Sequence, residues 1–407
     1  MPFFFHDSIA GIDSTLDDLG SRTVEAVCGS PVSPLDFSSK GGPKPRLMLA
    51  LADNSEYGAQ LNVYDLATSF RTHYDIHVVL GFTGRLSQRL TALGVEVSEV
   101  PELGDGELSR SALSASAQFR RIVRSFQPAL IHCHMTMSSV AMRAVAWAED
   151  VPVLYSAHRW PFSRGVSNRG RASGWVAEVL GSRFTSHTVC TDEFSVELAK
   201  RYLRLADDTV CAVPCGLGHI DEISRAPSNR VELVMIADFR APHDHETIIR
   251  ALTYIEPGTC RLRLVGRGPG LYEAIALASE LGVCEDIVFL GEGGDRSTLF
   301  ATSDIYVQTT VGPGGATPVL EAMRAGLPVV VSQQDGADEV VEESTTGFLV
   351  ASKDAESTAL ALQRLIDDVE LREKMGSVGL EVFEESFTRA LMIERFADVY
   401  AQTRNCE

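Results

Sequence analysis

Basic residues are scarce in this chain: 36 Lys and Arg stand against 55 Asp and Glu over 407 residues, a formal net charge of −19. Phosphate neutralisation needs clustered Lys and Arg, so nonspecific nucleic-acid binding over the whole surface is excluded and no nucleic-acid partner is expected. Long apolar runs are missing as well. No stretch approaches the length of a membrane span, and the start, MPFFFHDSIAGIDS, has a brief apolar burst with neither a basic n-region nor a long h-region. The expected location is the cytoplasm, without a signal peptide, and peripheral contact with the inner membrane face stays open. Cysteine is present but without pattern: Cys28, Cys133, Cys190, Cys211, Cys215, Cys260, Cys284 and Cys406 are scattered, most of them inside apolar runs. Cys211 and Cys215 lack the spacing of a zinc knuckle or redox pair. Buried free thiols are the expectation, and no metal site.

What is present is an alternation. Residues 1–44 show no sustained periodicity and end in the turn formers SSKGGPKP, so they are expected to form an extension. From Arg46 the apolar runs RLMLALAD, YDIHVVLGF, VEVSEV, PALIHCH, VPVLYSAH and SHTVCTD read as strands, separated by amphipathic helices such as Leu61 to Phe70 and Ser111 to Ser125. Runs apolar on both faces fit parallel strands covered by helices. After the VPCGLG turn the pattern restarts with VELVMIADF, RLRLVGRG, DIVFLGE, DIYVQTT, LPVVVS and GFLVA, and it closes on an amphipathic helix from Arg389 to Tyr400. The expected fold class is α/β, with two consecutive doubly wound domains and a boundary in residues 216–229.

Ligands in such sheets bind outside the carboxyl ends of the strands, so the loops there are the places to search. In VGPGGATPVLEAMR a glycine loop runs into a helix, with Thr317 expected as its cap and Pro318 as the first helical residue. Free N–H groups at that helix start suit an anion or a cluster of hydroxyls. Glu321 is expected in the first turn, either as a helix-start acid or as an acceptor for a vicinal diol. The loop VGRGPG, residues 265–270, carries Arg267 between glycines that permit close backbone approach. A third loop, from Ala237 to Thr247, offers Arg240, His243 and His245 beside Asp238 and Asp244; zinc ligation and a polar loop capped into a helix both fit. His132, His134 and His158 stand at strand ends, as candidate acids, bases or sugar-hydroxyl donors, or as satisfied core residues. After His158, five arginines (Arg159, Arg164, Arg169, Arg171, Arg183) interleave with Trp160, Phe162 and Trp175 against one acid, Glu178; an anionic acceptor, a membrane face or a solvated helix would each account for this.

The order of these motifs resembles the GT-B glycosyltransferases of retaining family four, known as glycosyltransferase group 1. FQPALIHCH, VPVLYSAH, VPCGLG, ADFRAPHDHETIIRAL, VGRGP and VFLGE follow that family's order, and PVLEAMRAGLPVVVS with DGADEVVEESTTGFLV resembles its donor-site helix and the segments after it. The resemblance spans residues from about Arg46 to Tyr400. It implies two Rossmann-like domains facing a central cleft: an extension 1–44, an acceptor domain 45–216, a nucleotide-sugar domain 217–385, and a terminal helix 386–407 returning to the first domain. It implies a retaining, metal-independent transferase with no cofactor beyond its nucleotide-sugar substrate. The acceptor would be a glycan, a lipid-linked molecule or a small molecule. His158 and Glu321 would be catalytic, with Glu321 on the donor ribose and His158 lining the sugar. Gly58, Gly314, Gly315, Ala316 and Thr317 would face the donor, with Arg240, His243 and Arg267 as its cations.

Four positions depart from the family pattern. Pro313 stands eight residues before Glu321, where the family keeps a second Glu; Asp238 and His243 replace its phosphate-binding Arg and Lys; Tyr57 replaces the first glycine of its first loop. All four fall on the donor site. They raise a second expectation, a catalytically silent GT-B module that binds a partner glycosyltransferase or a glycan.

Overall fold

The computed structural model describes residues 43–52, 57–103, 110–163, 168–220, 230–293, 295–312 and 315–404. The expected extension therefore lies almost wholly outside the described residues, as do Pro313 and Gly314. The chain divides into two compact units, the first holding residues 1–162, 166–215 and 389–407, the second residues 163–165 and 216–388.

The first unit is built on a parallel sheet of seven strands: β1 (Arg46–Leu51), β2 (Asp75–Leu80), β3 (Glu96–Glu99), β4 (Leu130–His134), β5 (Val153–Ala157), β6 (His187–Cys190) and β7 (Val210–Ala212), in the order β3-β2-β1-β4-β5-β6-β7. Successive side chains of β1 enter opposite faces. Leu47, Leu49 and Leu51 join one buried cluster and Met48 and Ala50 another, which is why the strand reads as continuously apolar. β7 is the strand that the sequence reading lacks, because three residues are too few to show a period. The last helix, Arg389–Arg404, adds Met392, Phe396, Val399 and Tyr400 to the cluster containing Leu47 and Leu49.

The second unit repeats the plan with β8 (Val231–Ile236), β9 (Cys260–Val265), β10 (Ile287–Phe289), β11 (Ile305–Gln308), β12 (Val329–Ser332) and β13 (Gly347–Val350), all parallel, in the order β10-β9-β8-β11-β12-β13. In each sheet the winding reverses once, between β1 and β4 and between β8 and β11. Helices and loops diverge at such a reversal and leave a crevice at the carboxyl ends of the two strands. The exits of β1, β4, β8 and β11 are thereby singled out by topology alone.

The segment after His158 is mixed: Arg159 and Arg183 are exposed, while its aromatic side chains turn inward. Trp160 and Phe162 are buried and stacked at 5.3 Å, Arg171 is buried, and Trp175 donates from its indole to the Tyr202 carbonyl at 3.2 Å. Glu178, its lone acid, is buried too, against Arg143. The aromatics of this segment therefore pack into or against the first unit's core. No helix among the described residues is long and apolar enough to cross a membrane.

Candidate donor and sugar sites

In the second unit three strand exits are hydrogen-bonded into one surface. The loop after β8 and the loop after β11 are joined by the Asp244 amide donating to the Thr309 carbonyl at 2.9 Å, the Val311 amide to Pro242 at 2.8 Å, and a bridge between His243 and Thr310. The loop after β9 is tied in by the Phe239 amide donating to the Arg267 carbonyl at 2.7 Å, and by the Arg267 amide donating to Asp238 Oδ1 at 3.2 Å. The glycines of VGRGPG serve this contact. A Cβ on Gly266 or Gly268 would clash with the backbone of Ala237 or Phe239, so these glycines permit a close loop-to-loop approach.

The helix Thr317–Arg324 begins one residue earlier than the sequence suggests. Gly315 takes a left-handed φ of +77°, Ala316 is the cap, and Pro318 falls at the second helical position, where its missing N–H would be unpaired in any case. Glu321 is consequently beyond the first turn, and the helix-start explanation for it fails. Glu321 is 6% exposed, and its carboxylate is gripped by Arg296, whose Nε donates to Oε1 at 3.2 Å and to Oε2 at 3.1 Å while a terminal nitrogen reaches Oε2. Beneath the loop, buried Gln308 accepts from the Tyr306 hydroxyl at 3.0 Å and donates to the Gly315 carbonyl at 3.3 Å, fixing the backbone that leads into the helix.

The loop cations have acids beside them. Arg240 pairs with Asp238 at 2.5 Å and Arg267 with Glu292, all four side chains well exposed. His245 is buried, stacked at 3.9 Å on Phe239 and within 3.2 Å of the Ala237 carbonyl, and Asp244 caps the helix His245–Ala251 through the Thr247 amide. Of the two readings of that loop, the structure takes the capped one. Arg296 escaped the sequence reading because 25 residues separate it from Glu321, and its local pattern, Asp295 capping a helix through Thr298, has its own explanation.

In the first unit the exits of β4 and β5 carry a histidine cluster. His132 is fully buried, with Nδ1 2.9 Å from the Tyr400 hydroxyl and Nε2 2.7 Å from Ser156 Oγ, a satisfied core residue that ties the last helix to the sheet. His134 Nδ1 lies 3.1 Å from His158 Nε2, and the rings stack at 5.5 Å. Gly58 is not in a loop: it lies in the first turn of the helix Tyr57–Phe70, while residues 53–56 lie outside the described residues. One turn on, Asn62 lines a cavity of about 10 Å³ together with Ser156, His158 and Thr191. Thus Gly58 and His158 belong to the first unit, whereas Glu321, Arg240, His243, Arg267 and Gly315 to Thr317 belong to the second.

Burial keeps the three imidazoles neutral: His158 is held down to about 4, and His132 and His134 well below their usual value, with the neighbouring imidazoles adding to the effect. The unfolded chain binds these protons first, near pH 6.5. The contribution to stability is present above that pH and lost as pH falls toward 4. All three tryptophans lie in the first unit, so urea unfolding followed by their fluorescence should show the midpoint dropping across this window. His158→Asn should flatten the drop, and identical slopes for the two proteins would contradict the assignment.

A family model described as Glycosyl transferase 4-like domain matches residues 58–216, and one described as Glycosyl transferases group 1 matches residues 219–381. The chain belongs to the group 1 glycosyltransferases. Among solved structures, this group 1 glycosyltransferase superposes on a glycosyltransferase from Rickettsia africae with a TM-score of 0.75 at 14% identity, covering 89% of this chain and 100% of the other. The Anabaena protein HepE, in complex with UDP and glucose, superposes with a TM-score of 0.73 at 19% identity, over 87% of this chain and 99% of HepE. In sequence, the lipopolysaccharide core biosynthesis glycosyltransferase LpsE of Rhizobium meliloti is 24% identical over 79% of this chain and 94% of its own length. The two doubly wound units are those of the GT-B fold.

Proposed function

We propose that the enzyme transfers a sugar, with retention, from a nucleotide-diphosphate sugar to a glycan, lipid-linked or small-molecule acceptor. The observation that carries this reading is Glu321: a buried carboxylate, oriented by Arg296, on the helix that follows β11 at the sheet's reversal. HepE, a protein of the same fold, is described in complex with UDP-glucose, which supports a donor of this class. Glu321 accepts hydrogen bonds from the donor ribose, and the amides of Gly315, Ala316 and Thr317 meet the sugar or diphosphate at the positive end of their helix. His243, with Arg240 and Arg267 after exchange of their acidic partners, offsets the charge that develops on the leaving diphosphate. His158 hydrogen-bonds the sugar. No metal is assigned a part.

A thermal-shift panel of nucleoside diphosphates and nucleotide sugars tests this, because a ligand that binds only the folded protein stabilises it by about 2.7 kcal/mol at a hundred times its dissociation constant. One base should raise the unfolding temperature by several degrees, and its sugar derivative should be turned over. A flat response across the panel would overturn the donor and leave the silent partner-binding module as the reading.

A further inference from the structure

Among the buried polar atoms of the first unit that have no hydrogen-bond partner among the described residues are His134 Nε2 and Asn62 Oδ1, on residues 0% and 7% exposed. They constrain the protons around His158. The His134 to His158 contact holds a single hydrogen between two neutral rings. If His158 Nε2 carried it, His134 would need its own hydrogen on Nε2, an orphaned N–H inside the core. If His134 Nδ1 carries it, His134 Nε2 is a bare lone pair, a deficit that folded proteins tolerate more often than a buried unpaired donor. His158 then keeps its remaining hydrogen on Nδ1.

Asn62 supplies the complement. Its Nδ2 donates to Met392 Sδ at 3.2 Å, and the reverse orientation would set two acceptors against each other, so Oδ1 is the atom left over. Asn62 and His158 line the same small cavity, which has room for one oxygen atom.

We infer that His134 is a positioning residue that fixes His158 as its Nδ1–H tautomer, and that the cavity receives one sugar hydroxyl, accepting from His158 Nδ1–H and donating to Asn62 Oδ1. The hydroxyl half rests on the nucleotide-sugar reading above; the tautomer half does not.

Long-range proton–nitrogen correlation on full-length protein labelled with ¹⁵N-histidine reads the tautomer directly. The expected spectrum has His158 protonated at Nδ1 and bare at Nε2. His134→Leu should give a mixture of tautomers, and His134→Asn, whose amide can still donate, should restore the single form. His158 protonated at Nε2 in the unmodified protein overturns the assignment, whatever the variants do. For the hydroxyl, Asn62→Leu should weaken the nucleotide sugar about tenfold, the loss expected for one hydrogen bond. The matching nucleoside diphosphate, which lacks the sugar, should bind as before. Equal losses for both ligands, or none for either, overturn the hydroxyl site. Should no nucleotide sugar bind the unmodified protein, the donor reading fails and the hydroxyl site with it, while the spectrum still decides the tautomer.

Discussion

Replacing Glu178 with alanine is expected to destabilise the first unit by about 3–5 kcal/mol, the cost of leaving one partner of a buried ion pair without the other. Glu178 and Arg143 are each 1% exposed, and the Arg143 guanidinium donates to Glu178 Oε2 at 3.2 Å. The Tyr155 hydroxyl donates to Oε1 at 2.6 Å, and the guanidinium lies 4.0 Å from the Tyr155 ring centroid. One carboxylate thus joins the helices Thr136–Ala148 and Asn168–Ser182 to β5, and alanine strands both a cation and a hydroxyl. A domain of ordinary stability has only about 5–15 kcal/mol in total, so the variant stands near the limit of folding.

The three tryptophans, confined to the first unit, make urea unfolding by fluorescence the fitting measurement. The cost arises from the charge left behind rather than from the pair's own strength. The double variant Arg143→Met with Glu178→Leu should therefore recover most of the loss. A single variant within about 1 kcal/mol of the unmodified protein, the range of an exposed pair, would mean that water reaches Arg143 and that the pair holds nothing together.

Glu178 also shows what the sequence conveys and what it withholds. As the lone acid among five arginines it reads as a surface residue, because nothing local says that its partner is Arg143, 35 residues earlier. The strands were legible for the opposite reason: a parallel strand buried on both faces announces itself by local composition, as β1 and β4 do. Helix ends were less so, since Thr317 and Pro318 fit a cap as well as a first turn, and the bond from the Leu320 amide to the Ala316 carbonyl decides. In the candidate site, the loops could be located by topology, but the side chains that complete each group lie far away in sequence. Arg296 for Glu321 and Met392 for Asn62 are of this kind. Asn62 left one usable trace. With Asp65, which meets Arg389 at 3.3 Å, it interrupts the apolar face of a helix whose Ala59, Val63, Leu66 and Phe70 are buried, and a polar residue on such a face needs a partner.

Glu321→Ala is expected to weaken the bound nucleoside diphosphate about a hundredfold, since two hydroxyls would lose a charged acceptor and each such bond contributes about 1.5–3 kcal/mol net, the lower end for the pair being about two decades in affinity. The Arg296 fork leaves the carboxylate room for this. A carboxylate offers about four lone-pair directions, and one guanidinium edge occupies only one side. Loss of the carboxylate should leave the fold almost intact, because Arg296 is 34% exposed and water can replace its partner. The loss then belongs to binding, and the ligand can show where. Removing the ribose 2′-hydroxyl should weaken binding to the unmodified protein about tenfold or more, and the same change should matter little once Glu321 is alanine, because the two alterations delete one interaction. Titration of both ligands into both proteins closes the cycle. If the ribose and deoxyribose forms differ equally in the two proteins, Glu321 does not touch the diol, and its burial serves only to anchor Arg296 beneath the loop.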